Sequence, residues 1–281
     1  MIETSERPAQ TGERQVKGEV NYIGPMDERP RYYANDHSRD VLNLEPHVVP
    51  ITDVRNAQTP PTLWREGFAL VPHVSMVRDF RNQEEVTRLH PDEIRGLLQR
   101  LTGADEVVVT GPGVLRFAER SADSGKLDNS RPARFVHIDI SDTTAQAFAD
   151  RSAPQGRGKI RRFAHYNVWR ALSTPPQDTP LAVCDARSIA PEDLVAADAV
   201  FDKPGQPEWS FEGLTIRYNP AHRWVYFSNM TRDEALVFKT NDSDPEQPHN
   251  VPHSAFDDPS CPADVPPRSS IEMRAIAYWY E

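Results

Sequence analysis

The sequence predicts a mainly β protein with flanking helices, its C-terminal half forming a barrel or double-sheet jelly roll. Three observations carry that expectation. From Arg131 onward the chain divides into short apolar runs of strand length, broken by Pro, Asp and Asn. The 26 prolines fall mostly between those runs, where they exclude long continuous helices but permit edges and turns. Helical spacing is clearest in the N-terminal half, where Ile94, Leu97, Leu98 and Leu101 follow an i, i+3, i+4, i+7 pattern.

Residues 1–18 have few apolar anchors and read as a mobile tail before a single domain over 19–281. Within that domain, 19–130 is expected to form a supporting portion and 131–281 the β core. Strands are expected at Val20–Ile23, Val48–Ile51 and Gly67–Val71. A helix should run from Pro91 to Leu101, with Pro91 in its first turn and Gly103 ending it. Glu106–Thr110 reads as a strand, and Arg134–Ser141 alternates as one. Ser141 can then cap a short helix through Asp150. Further strands are expected at Lys159–Arg170, Leu181–Cys184, Leu214–Tyr218, Arg223–Phe227, Ala235–Lys239 and Ser270–Tyr280. A helical turn is expected at Pro191–Ala197.

Composition narrows the function. The 281 residues include 42 acidic and 32 basic side chains, a formal charge of −10. Such a surface repels phosphate backbones and anionic membranes, so the expected partner is a small molecule. Mean hydropathy is low, −0.64, but 5 Trp, 11 Phe and 8 Tyr supply material for a core. Cys184 and Cys261 form no CxxC pair and suit a reducing cytoplasm. The N-terminus has neither a signal-peptide nor a transit-peptide pattern, and no run approaches the roughly 18 apolar residues of a membrane span. No phosphate-binding glycine loop, GxSxG elbow or zinc-type cysteine spacing is present.

The chemistry centres on Arg134-Phe-Val-His-Ile-Asp-Ile-Ser141. Period-two alternation points His137 and Asp139 the same way, giving two corners of the 2-His-1-carboxylate arrangement that holds Fe(II) and leaves other coordination positions open. A second histidine must come from downstream, where His165, His222, His249 and His253 compete. His253 is preferred, because it lies in the short strand-like run Val251–Phe256. Fifteen residues later Arg268-Ser-Ser-Ile-Glu-Met-Arg274 places Arg268, Ser270, Glu272 and Arg274 on one strand face. An arginine there suits a dicarboxylate, which its planar fork binds with two charge-assisted hydrogen bonds. On the Lys159–Arg170 strand, Phe163, His165, Asn167 and Trp169 share a face, so Asn167 could bond a cosubstrate carboxylate and Trp169 wall the pocket. Arg170 points the other way. Asp185 with Arg187 reads as a structural pair, Trp224 with Tyr226 as core, and Asp233-Glu234 as a turn.

The ordered set of His-x-Asp, distal His and Arg resembles the Fe(II)/2-oxoglutarate-dependent oxygenases. More closely, the chain is similar to the family of the cephamycin 7-hydroxylase component and the fungal hydroxylase/desaturases of secondary metabolism. The likeness rests on Asn167-Val-Trp-Arg170, Pro180-Leu-Ala-Val-Cys-Asp-Ala-Arg-Ser188, His222-Arg-Trp-Val-Tyr226, Asp233-Glu-Ala-Leu-Val-Phe-Lys239, Pro252-His-Ser-Ala-Phe256 and Arg268–Arg274, and it covers roughly residues 20–281. It implies a double-stranded β-helix, cupin-like core, Fe(II) at His137, Asp139 and His253, and 2-oxoglutarate at Arg268 or Arg274, with O₂ as co-reactant. The expected reaction is hydroxylation or desaturation at an unactivated C–H bond of a natural-product intermediate. Asp139 disfavours halogenation, since related halogenases carry a small residue there. Two alternatives stand beside this reading: a cupin-like isomerase or dioxygenase working without 2-oxoglutarate, and a non-catalytic β-barrel binding protein.

Overall fold

The computed structural model describes residues 14–281. In chain order the strands begin with β1 (Arg14–Ile23), β2 (Arg31–Tyr33), β3 (Leu44–Asp53) and β4 (Phe68–Pro72), before helix α1 (Gln83–Thr102). Next come β5 (Glu106–Val109), β6 (Val114–Phe117), β7 (His137–Ile138), helix α2 (Asp142–Ser152), β8 (Ile160–Ala171) and β9 (Leu181–Cys184). The chain closes with β10 (Leu194–Phe201), β11 (Trp209–Ile216), β12 (Trp224–Tyr226), β13 (Glu234–Asp242), β14 (His253–Ala255) and β15 (Ser269–Tyr280). Nine strands form one sheet in the order β1-β3-β12-β9-β14-β7-β11-β10-β2. The other sheet runs β4-β13-β8-β15-β5, with β6 also pairing β15. This is the jelly-roll, double-stranded β-helix architecture that the sequence led us to expect.

Each sheet uses its two faces differently. On the six-stranded sheet Val168, Val237, Met273 and Ala275 face outward onto α1, whose Ile94, Leu97 and Leu98 are fully buried against them. Burying each of these helix side chains contributes roughly 1.5–3 kcal/mol. The alternate residues of the same strands, Trp169 and Phe238 among them, point inward toward β9. On the nine-stranded sheet Val183 joins that interior, whereas Ala182, Cys184 and Ile138 pack in a separate cluster with Val20, Ile51 and Trp224 on the other face. His137 and His253 are therefore held between the two sheets by the same alternation that buries their neighbours outside it.

Several boundaries differ from the expected ones, each for a physical reason. Pairing in β1 begins at Arg14 opposite Asp53, so residues 14–18 of the expected tail belong to the sheet, and residues 1–13 lie outside the described residues. Helix α1 starts eight residues before Pro91. Asn82 caps it, accepting from the amides of Glu84 and Glu85 at 3.1 Å each. Pro91 is thus interior, where it leaves the Thr87 carbonyl without its i+4 amide; packing of the apolar face outweighs that loss. Gly103, at φ +66°, ends the helix as expected.

Of the expected strand 134–141 only His137–Ile138 forms a ladder, with an isolated parallel bridge from Phe135 to Asn21, because the chain bends at Asp139 on its way to α2. Ser141 caps that helix, its hydroxyl accepting from the Thr144 amide. At 191–197 only Pro191–Asp193 is helical, as a 3-10 turn, and Leu194 onward forms β10 through its ladder with β11. β2, β6 and β10 were not foreseen. Strands from before residue 131 enter both sheets, so the expected division at 130/131 has no counterpart in strand order.

Gly213 of β11 faces the bend at Asp139. A Cβ there would lie 2.8 Å from the Asp139 carbonyl oxygen and 3.3 Å from that of Ile138. Backbone cannot yield as a flexible side chain does. Gly213→Ala is expected to fold with a loss of about 1–3 kcal/mol and to displace Asp139. Thermal melting and Fe(II) titration test this, and parental values for both would show that the close approach carries no constraint.

Candidate active site

Three ligand-type side chains converge between the sheets. Asp139 Oδ1 lies 3.6 Å from His137 Nε2 and 3.7 Å from His253 Nε2, and the three donor atoms all fall within 4.8 Å of one another. Donors at that spacing can share one ion through bonds of about 2.1 Å. The histidines arrive on paired strands, His137 of β7 directly opposite His253 of β14, with ring centroids 4.2 Å apart. His253 is therefore the distal histidine that the fold brings to the His-x-Asp. His165 lies deeper on β8, His222 bonds Asp193 and Tyr22, and His249 bonds the Gln247 carbonyl.

Surrounding groups fix each donor. His137 Nδ1 is 2.9 Å from the Phe135 carbonyl, and His253 Nδ1 is 3.4 Å from that of Val251. Only an N–H can face a carbonyl, so the lone pairs sit on the two Nε2 atoms facing Asp139. Asp139 divides its oxygens. Oδ1 faces the histidines, while Oδ2 accepts from Asn167 Nδ2 at 2.7 Å and forms an ion pair with the Arg274 guanidinium, whose Nε lies 3.1 Å away and donates to Glu272. Asn167 and Arg274 are directly paired across β8 and β15, so a single register delivers both the hydrogen bond and the ion pair.

The electrostatics follow. Burial, reinforced by His253, pushes His137 down to about 3. His253 is likewise lowered, chiefly by burial. Burial alone would raise Asp139, but Arg274 and the two histidines hold it well below the usual carboxylate range. Near neutral pH the cluster is two neutral imidazoles and a carboxylate, which is the protonation state a cation needs.

The two candidate arginines have different surroundings. Arg274 bonds Glu272 as well as Asp139, and its exposed surface opens on a cavity of about 950 Å³. Arg268 is 1 % exposed, lies over Trp169 at 5.8 Å, and leaves Nε and Nη2 without partners among the described residues. Burial, aided by Arg116 and Arg134, lowers it to about 9. Ser270 Oγ is also buried and unpartnered. A buried guanidinium with free donors is costly until an anion reaches it.

A family model described as an oxidoreductase/YMDC permease-like domain matches residues 20–278. The Fe(II)/2-oxoglutarate-dependent dioxygenase nvfI of Aspergillus novofumigatus is 30% identical over 251 residues, 84% of this chain and 85% of that protein. The chain belongs to the Fe(II)/2-oxoglutarate-dependent oxygenases. The hydroxylase/desaturase efuI of Hormonema carpetanum is 29% identical, with 86% of each chain covered. A solved structure of the iron and alpha-ketoglutarate-dependent endoperoxidase NvfI superposes with a TM-score of 0.82 at 26% identity, covering 96% of this chain and all of that one. Relatives of this kind make natural products. Fe(II), 2-oxoglutarate and O₂ are accordingly the oxygenase's metal, cosubstrate and co-reactant. Its His-Asp-His donor set and the unpartnered donors of Arg268 fit a metal and a dicarboxylate. No described helix is long and apolar enough to cross a membrane.

The remaining site expectations resolve as follows. Asn167 turns to Asp139, so its donor is engaged by a ligand-type carboxylate instead of being left for a cosubstrate. Trp169 faces inward, fully buried beside Arg268. Arg170 points away, its guanidinium donating to the His73 carbonyl. Arg187 pairs with Asp185, Trp224 and Tyr226 are core, and Glu234 pairs with Arg55. Missed altogether was a row of aromatics on the β10–β11 hairpin, Phe201, Trp209 and Phe211, which line the cavity beside Asp139. The two-residue spacing of Trp209 and Phe211 was the available signal.

Because the folded state keeps His137 neutral down to about 3 while the unfolded chain protonates it below 6.5, falling pH favours unfolding across that window. Asp139 adds to the loss below 3.8, where the unfolded carboxyl protonates first. In metal-free protein the melting temperature should fall between pH 6.5 and pH 4, and less steeply in His137→Gln. Equal slopes in the two proteins would remove His137 from the acid response.

Proposed function

We propose that the oxygenase binds Fe(II) through His137, Asp139 and His253 and oxidises an unactivated C–H bond of a small natural-product intermediate, by hydroxylation or desaturation. The observation that carries this reading is the convergence of those three donors beside a buried arginine with unpartnered N–H groups. Arg268 is the partner for the distal carboxylate of 2-oxoglutarate. Arg274 is already neutralised by Asp139 and Glu272 and fixes the metal-side carboxylate instead. Trp169 stands two residues along β8 from Asn167, about 7 Å, between the metal donors and Arg268, and walls the cosubstrate channel. Ser270 Oγ offers that channel a further hydrogen bond.

When bound, iron, 2-oxoglutarate and O₂ supply the oxidising power, with the cosubstrate leaving as succinate and CO₂. The chain's own residues supply orientation. Asn167 and Arg274 keep Oδ2 of Asp139 occupied, so that Oδ1 is presented to the metal with the two Nε2 atoms. The substrate enters from the large cavity, which reaches Asp139, Asn167 and Arg274 but not Arg268. Substrate and cosubstrate thus approach the metal from different sides. Cys184 and Cys261 are free thiols, which suits a cytoplasmic enzyme.

Arg268→Gln is expected to raise the KM for 2-oxoglutarate by on the order of 10–100-fold, as loss of charge-assisted bonds to a buried carboxylate requires, with Fe(II) affinity unchanged. Arg274→Gln should instead weaken Fe(II) binding about tenfold or more. Anaerobic titration with Fe(II), then 2-oxoglutarate, followed by the visible band of the chelated 2-oxo acid, separates the two. The opposite pattern would exchange the arginines' roles, and absence of any band with Fe(II) bound would defeat the cosubstrate assignment.

A further inference from the structure

The large cavity is built asymmetrically. At about 950 Å³ it lies near the top of the ~300–1,000 Å³ range of small-molecule sites. One wall is aromatic. Phe201 and Trp209, opposite each other on the β10–β11 ladder, stack at 4.5 Å and 16°. Phe211 lies 5.3 Å from Phe201 at 27°, and Phe148 of α2 meets Phe211 edge-on. Trp209 is nevertheless 51% exposed, a large apolar surface left facing open space.

This wall is held in place. Asp202, at the hairpin tip, accepts from the amides of Asn35 at 2.9 Å and Asp36 at 3.0 Å, and Glu208 pairs with Arg39. Part of the rim charge is paired locally, while Lys126 and Arg151 add two cations, Arg151 lying over the Phe148 ring at 4.8 Å. Arg81 is paired with Asp123 at 2.7 Å and Lys203 with Asp128 at 3.6 Å. The hairpin wall itself offers ring faces, and the polar groups that face them lie inside the cavity.

Inside, His165 stands out. It lies on the inward face of β8, two residues from Asn167, and lines the cavity. Its Nε2 is 3.0 Å from the Ala145 carbonyl and must carry the proton, leaving Nδ1 as a lone-pair acceptor with no partner among the described residues. Burial lowers this histidine to about 4, so it stays neutral at ordinary pH.

We propose that the substrate is a flat aromatic or polycyclic molecule, whose ring face lies on Phe201, Trp209 and Phe211 and whose hydroxyl donates to His165 Nδ1. His165 and Asn167 are about 7 Å apart along the strand. The hydroxyl therefore anchors the molecule a ring or so from the carbon presented at Asp139. This rests on the cavity being the substrate site of the reaction proposed above, but its test needs neither iron nor cosubstrate.

The test compares 2-naphthol with 2-methoxynaphthalene, titrated into the metal-free full-length chain and followed by tryptophan emission. Both should quench the parent, and Trp209→Phe should lose most of the quenching. 2-Naphthol should bind about threefold to tenfold more tightly, the difference one neutral hydrogen bond makes. His165→Leu should erase the preference, and His165→Gln, which keeps a donor for Ala145 and an acceptor for the cavity, should retain it. Imidazole ¹⁵N shifts in the parent, which need no variant, should move at His165 Nδ1 with the naphthol alone. Equal affinities together with a still Nδ1 overturn the hydroxyl anchor, and quenching that does not depend on Trp209 overturns the aromatic wall. Failure of iron or 2-oxoglutarate to bind would strike the proposed reaction and leave these results standing.

Discussion

The carboxylate of Asp139 is where the two sheets meet chemically. One oxygen faces His137 and His253 of the nine-stranded sheet, and the other is held by Asn167 and Arg274 of the six-stranded sheet. Without the second pair, the first would confront a buried carboxylate free to turn toward whatever cation was nearest. Holding Oδ2 takes the buried Asn167 amide, the Arg274 guanidinium and a precise cross-strand register, Asn167 opposite Arg274. That register is set by the long β8–β15 ladder, the backbone of the smaller sheet, which in turn is backed by α1. The site therefore depends on elements that never touch it.

The same arrangement gives the two arginines near the start of β15 different surroundings. Arg274 and Arg268 are on the same strand face, six residues apart, and local chemistry alone would let either take a carboxylate. Their neighbours decide between them. Asp139 and Glu272 neutralise Arg274, while Arg268 is buried against Trp169 among other arginines with two nitrogens unpartnered. Aromatic rings from one hairpin and a neutral histidine from β8 line the large cavity, which reaches Asp139 and Arg274 but not Arg268.

How much of this was legible in the sequence depends on whether the signal was local. His137 and Asp139 could be paired because a two-residue spacing survives even in a strand only two residues long; the bend at Asp139 that ends the ladder did not turn the carboxylate away. The helix boundary failed at Pro91 because a proline in the first turn is a strong local rule, and only packing against the sheet shows that the helix began at Gln83. The run at 191–197 was misjudged because its alanines are compatible with helix until β11 offers them a ladder.

By itself the sequence determined the β-rich class, the His-x-Asp, the distal His253, the two candidate arginines and the inward face of β8, because each is a matter of spacing along one segment or of ordered blocks of residues. Only the tertiary structure decided that Asn167 serves Asp139, that Arg274 is neutralised while Arg268 is not, and that Phe201, Trp209, Phe211 and His165 share one cavity. The reason is physical. Which donor meets which acceptor, and which charge is left without a partner, depends on groups brought together from strands far apart in the chain, and no spacing along one segment encodes that.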